Sequence, residues 1–157
     1  MANPVIGFIG LGLMGGNMVE NLQKKNFEPI VMDLSKEAVA AVVARGGSEA
    51  ASAAELAAQC DIIMLCLTTS SVVEKVMYAD DGILSGIKEG AVVIDFGTSI
   101  PASTRKIGAD LAKKGAGMVD AALGRTPAHA SDGLLNIMAA GDQETFDKVK
   151  QVLDMQG

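Results

Sequence analysis

The chain has no tryptophan, a single tyrosine, a single histidine and only two cysteines in 157 residues. Each scarcity removes a class of function. With aromatics at 3% and a formal net charge of -6, it offers neither the stacking rings that hold single strands nor the basic face that neutralises phosphates, so no nucleic-acid partner is expected. Cys60 and Cys66 lack a CxxC spacing and His129 is the lone imidazole, so no metal site is expected. Both thiols read as buried, free and structural. No basic-then-apolar leader opens the chain, and no apolar run nears the roughly 20 residues a membrane-spanning helix needs. That points to no membrane partner and to a reducing, cytoplasmic setting.

What the chain does have is apolar residues, 49% against 20% charged, and 18 glycines. That is enough to bury one core without cross-links, over the length of one domain. Apolar runs alternate with helical periodicity from end to end, the pattern of a sheet wound by helices on both faces. Strands are expected over 5–9, 29–32, 48–50, 61–67, 91–95, 118–123 and 134–139. Helices are expected over 14–25, 37–44, 72–77, 101–114 and 144–153, with one more opened by Ser52. Ser35, Ser52 and Asp142 are placed as N-caps, a hydroxyl among 68–71 as another, Glu55 completes a capping box, and Pro101 opens its helix. The fold class is therefore α/β, doubly wound, with a mostly parallel sheet.

The motif that carries chemistry is Gly10-Leu11-Gly12-Leu13-Met14-Gly15, a GxGxxG lying directly between the first strand and the first helix. Gly10 suits the tight turn, Gly12 lets backbone approach a pyrophosphate, and Gly15 lets helix and strand pack closely. The helix start, with Leu13 and Met14, can hold phosphate through free N–H groups without any basic side chain. Asp33 ends the second strand about 20 residues past the turn, where a carboxylate accepts the ribose hydroxyls of an adenosine. Strand, turn, helix, strand and acid in that order read as a Rossmann-type dinucleotide site. A carboxylate at position 33 repels a 2′-phosphate, so NAD is expected rather than NADP, with Lys36 the residue that could accommodate the phosphate. FAD and S-adenosylmethionine fit less well, the first for want of chain around a flavin and the second for the glycine spacing.

The opening IGFIGLGLMGGNMVENL closely resembles the N-terminus of the β-hydroxyacid dehydrogenases. Two further blocks agree in order: 93–101, VIDFGTSIP, is similar to the family's D-x-S-T-x-x-P, and 119–126, VDAALGRT, lies where its D-x-P-V-S-G-G substrate motif belongs. The resemblance covers essentially the whole chain. It implies an NAD-linked interconversion of a short 3-hydroxy acid and its semialdehyde, with Leu67 and Thr68 lining the cofactor cleft and Thr98 near the nicotinamide ribose. Gly124, Arg125 and Thr126 replace the family's Ser-Gly-Gly and are the expected substrate contacts. Arg125 offers a planar fork suited to carboxylate, sulfonate or phosphate, and Gly-Arg-Thr is similar to the sulfolactaldehyde reductase branch, whose substrate carries a sulfonate; a surface salt bridge is the plainer alternative for Arg125. His129 is expected to be structural and partly exposed.

No acid–base group presents itself for the proton that accompanies hydride transfer. In the family that group is a lysine in a G-x-x-x-K-x-x-N block of a C-terminal helical domain, which lies beyond Gly157, so no catalytic residue is assigned within 1–157. The chain is expected to be the dinucleotide-binding domain alone, and the full-length form a homo-oligomer acting on a small anionic aldehyde or 3-hydroxy acid. A non-catalytic NAD-binding module stays open as the alternative.

Overall fold

The computed structural model describes residues 3–97 and 99–157. Its elements run β1 (Ile6–Ile9), α1 (Leu13–Lys24), β2 (Ile30–Met32), α2 (Lys36–Ala44), β3 (Ser48–Glu49), α3 (Ala53–Gln59), β4 (Ile62–Leu65) and α4 (Ser70–Tyr78). They continue with α5 (Ile83–Gly86), β5 (Val92–Asp95), α6 (Pro101–Lys113), β6 (Gly117–Gly124), α7 (Pro127–Ser131), β7 (Asn136–Ala140) and α8 (Gln143–Gln156). The described strands form one seven-stranded sheet in the order β3-β2-β1-β4-β5-β6-β7. All pairs are parallel except β6 with β7.

The central strands are continuous apolar runs because both faces of the sheet are covered. Alternate residues serve two cores. Ile6, Phe8, Ile62, Met64, Val92 and Ile94 enter the one under α1, α2 and α8. Ile9, Ile63, Leu65 and Val93 enter the other, under α3 to α6. Period-two side-chain alternation with both sides buried is what a doubly wound sheet requires. The expected caps are in place: Ser35, Ser52 and Asp142 accept the N–H groups of Ala38, Glu55 and Thr145. Among 68–71 it is Thr69 that caps, accepting from Val72. Glu55 reaches back to the Ala51 N–H, one residue before the Ser52 N–H that a capping box would use.

Two features escape the periodicity. The four-residue α5 is too short to show a helical repeat. β7 runs antiparallel because residues 125–135 are occupied by a reversal through α7 rather than by the crossover a parallel return needs.

A buried polar clamp joins α1 to the end of α8. Asn21, 2% exposed, donates to the Met155 carbonyl at 2.9 Å and to Gln156 Oε1 at 3.0 Å, and Gln156, fully buried, donates to the Met18 carbonyl at 3.2 Å. Asn21→Ala leaves the Gln156 oxygen without a partner inside the core. An unsatisfied buried acceptor costs about 1–3 kcal/mol, so the melting temperature is expected to fall by about 2–12 °C at this chain length. Thermal unfolding checks this; a shift under about 1 °C would show that water or a neighbour replaces the amide.

Candidate functional site

Because β1, β2, β4, β5 and β6 are parallel, their C-terminal ends share one edge. The register aligns Met32, Ile9, Leu65, Asp95 and Asp120 across it. β1 lies between β2 and β4, so the chain winds outward in opposite directions on its two sides, and the loops above it part to leave a crevice.

Gly10 takes φ +102°, and a side chain there would run into the Cys66 carbonyl of the neighbouring strand end. Gly15 lies against the Gly10 carbonyl with no room for a Cβ. Gly12 differs from both: a Cβ there would meet nothing within 4 Å, because that side faces open space in front of α1. The helical ladder begins with the Gly16 N–H on the Gly12 carbonyl at 2.8 Å. The N–H groups of Leu13 and Met14 precede it and emerge from the helix end toward that space. No acidic side chain stands in the first turn to compete for them.

Asp33 carries more than sequence reasoning assigned to it. Its Oδ2 accepts the Leu11 N–H at 2.6 Å and its Oδ1 the Ser35 N–H at 2.7 Å. One carboxylate thereby ties the glycine turn to the end of β2. A carboxylate has about four lone-pair sites, so each oxygen retains acceptor capacity. Gly12, Leu13, Asp33, Ser35, Ala38 and Arg45 border a cleft of about 550 Å³ between α1 and α2. Arg45 had no sequence signal; it stands at the end of α2 with Nε on Gln23 Oε1 at 2.8 Å.

On the other side of β1, Leu67 is half-buried and Thr68 exposed, both just past the end of β4. Thr98 lies outside the described residues. Asp95, at the end of β5, is fully buried and accepts the Gly97 N–H at 2.8 Å and the Ser99 hydroxyl at 2.6 Å. Burial pushes its carboxyl above the usual carboxylate range, against those two hydrogen bonds. Cys60 is buried as expected, and burial pushes its thiol up to about 12. Cys66, just past the end of β4, departs from expectation in being only half-buried; burial still pushes its thiol up to about 11.

β6 runs four residues past the level of Asp120, carrying Gly124 roughly 13 Å beyond the edge at strand spacing. Arg125 follows in the left-handed region at φ 75°, with Nη1 on the Leu134 carbonyl at 3.0 Å. It forms no salt bridge among the described residues, so the plainer alternative for it finds no support. Thr126 caps α7, and its hydroxyl lies 2.7 Å from His129 Nδ1. His129 is half-buried and occupied with that cap. Among the described residues no cluster of three or more His, Cys, Asp or Glu could hold a metal, and no helix is long and apolar enough to cross a membrane.

The chain is 39% identical over 152 residues to a 2-(hydroxymethyl)glutarate dehydrogenase of Eubacterium barkeri, covering 97% of this chain and 50% of that one. To a 3-sulfolactaldehyde reductase of Escherichia coli it is 36% identical over 152 residues, covering 97% and 51%. The structure superposes on a crystal structure of 3-hydroxyisobutyrate dehydrogenase from Salmonella typhimurium with a TM-score of 0.92 at 28% identity, covering 99% of this chain and 54% of that one. The chain thus spans about half the length of the curated relatives it matches. Residues 5–157 match the family model for the NAD binding domain of 6-phosphogluconate dehydrogenase, a match over nearly the whole chain whose defining turn, helix start and acid have the geometry just described, and the chain belongs to that family.

Proposed function

We propose that this chain is the cofactor half of a cytoplasmic NAD-dependent β-hydroxyacid dehydrogenase. In this reading Gly10, Gly12, Leu13, Met14 and Gly15 take the pyrophosphate, Asp33 the adenosine ribose, and Leu67 and Thr68 the nicotinamide side. The observation that carries it is the Asp33 carboxylate, which holds the glycine turn closed through the Leu11 N–H and keeps acceptor capacity beside the open face of Gly12. Helix-end N–H groups bind phosphate without a cationic side chain, so a net charge of -6 is no obstacle.

Bound NAD supplies the hydride acceptor and NADH the donor. The protein's part is to orient that cofactor and leave the crevice open toward β6, where Gly124, Arg125 and Thr126 face substrate. Arg125 retains N–H donors after its bond to Leu134, suited to a carboxylate or sulfonate. One of the curated relatives above is named for a dicarboxylate and the other for an aldehyde that carries a sulfonate, which supports a small anionic 3-hydroxy acid or aldehyde as substrate class. The acid–base group is assigned to a C-terminal helical domain, in accord with relatives twice as long, and the full-length form is proposed to be a homo-oligomer.

Titration of the 157-residue chain tests the cofactor reading. NADH is expected to bind at least about tenfold tighter than NADPH, because a 2′-phosphate set against Asp33 meets a like charge at a cost of a few kcal/mol. Asp33→Asn should narrow that ratio. Equal affinities, or a preference for NADPH, would overturn the assignment of Asp33. The same protein is expected to show no turnover with 3-hydroxyisobutyrate and NAD or with sulfolactaldehyde and NADH; a normal turnover number would place the acid–base group within residues 1–157.

A further inference from the structure

With the adenosine ribose at Asp33 and the pyrophosphate over Gly12, the remaining half of a dinucleotide crosses β1 toward the ends of β4 and β5. The floor there is made of residues 66–69 after β4 and, after β5, of residues 96–97 and 99–100, and the two stretches are stitched together. The Ile100 N–H donates to Ser70 Oγ at 2.6 Å, across thirty residues of sequence. Gly97 backs so closely onto the Leu67 carbonyl that a Cβ at 97 would stand 2.7 Å from it. Asp95 anchors the same loop through the Gly97 N–H and the Ser99 hydroxyl. One turn deeper, the Ser103 hydroxyl donates to Glu74 Oε1 at 2.7 Å, joining α6 to α4.

We infer that Ser70 is a positioning residue: its hydroxyl, through the Ile100 N–H, sets the loop after β5 against the loop after β4, so that the two form one shelf for the nicotinamide half of the cofactor. Ser70 is 8% exposed and its hydroxyl oxygen accepts the Ile100 N–H, so it acts through the loop it holds. Removing the hydroxyl leaves the Ile100 N–H unpartnered and frees the loop from α4. The adenosine side, built on Gly12 and Asp33, is untouched. The inference rests on the proposed dinucleotide site.

The test compares NADH with ADP-ribose, which has the ribose and pyrophosphate but no nicotinamide, on the same purified chain. Ser70→Ala is expected to raise the dissociation constant for NADH about tenfold and that for ADP-ribose less than about twofold. Ser70→Thr, which keeps the hydroxyl, should keep the wild-type ratio. If Ser70→Ala loses its cooperative melt, Ser99→Ala, which frees the same loop from Asp95 instead, is read in its place with the same expected split. Equal weakening of both ligands, or no weakening of either, would overturn the role of Ser70. Failure of the unaltered chain to bind ADP-ribose would overturn the cofactor assignment itself.

Discussion

Gly12→Val is expected to weaken NADH binding by at least about a hundredfold while moving the melting temperature by no more than about 2 °C. The two halves of this result come from the same observation. Among the described residues nothing beyond its chain neighbours lies within 4 Å of a Cβ at position 12, and φ -66°, ψ -166° is extended backbone, so a side chain leaves the turn into open space. The empty space is the approach to the Leu13 and Met14 N–H groups at the start of α1. A branched side chain there keeps a phosphate from reaching them. Charge-assisted hydrogen bonds contribute about 1.5–3 kcal/mol each, and losing two gives the hundredfold. Calorimetric titration beside a thermal melt decides it; NADH affinity within about threefold of the unaltered chain would remove the glycine turn from the phosphate site.

Gly10→Ala, two residues away, is expected to act in the opposite way, through stability. Its φ of +102° is a conformation L-residues avoid, and its added methyl would press on the Cys66 carbonyl, at the point where β1 and β4 pair. Backbone strain of about 1–3 kcal/mol and overpacking of a similar size add to about 4 kcal/mol. That is a large share of the stability of a single domain, commonly about 5–15 kcal/mol. The melting temperature should fall by about 8–16 °C. A melt within about 3 °C of the unaltered protein would show that the turn relaxes away from Cys66. Paired with Gly12→Val, this variant separates a glycine required by the chain from one required by the ligand, though both occupy one six-residue motif.

The motif was readable because its physics is local. A strand, a turn that must reverse tightly, and a helix start with free N–H groups are specified within residues 5–25, and Asp33 follows at the next strand end by the length of one helix and its loops. The caps at Ser35, Ser52 and Asp142 are local too: an oxygen meets an N–H three residues onward. The paired runs at 6–9 and 62–65 declare burial on both faces without naming their partners. Which strand lies beside which was inferable only from winding rules.

What no pattern revealed depends on residues far apart in the chain. The Asp33 bond to the Leu11 N–H, the Asn21–Gln156 clamp and the Ser70–Ile100 strut join positions 22, 135 and 30 residues apart. Asn21 reads in the sequence as an ordinary polar position of a helix, and Ser70 as one of four hydroxyl residues before another. Their burial comes from the elements packed over them. Composition, periodicity and motif spacing carried the fold class, the phosphate turn and the acid beyond it, because each is set by the reach of a few consecutive residues. The second use of Asp33, the reversal of β7, the overhang of Gly124 past the sheet edge and the joining of the two loops across β4 and β5 arise from long-range packing. There a hydrogen bond forms only after the sheet has brought its two ends within about 3 Å.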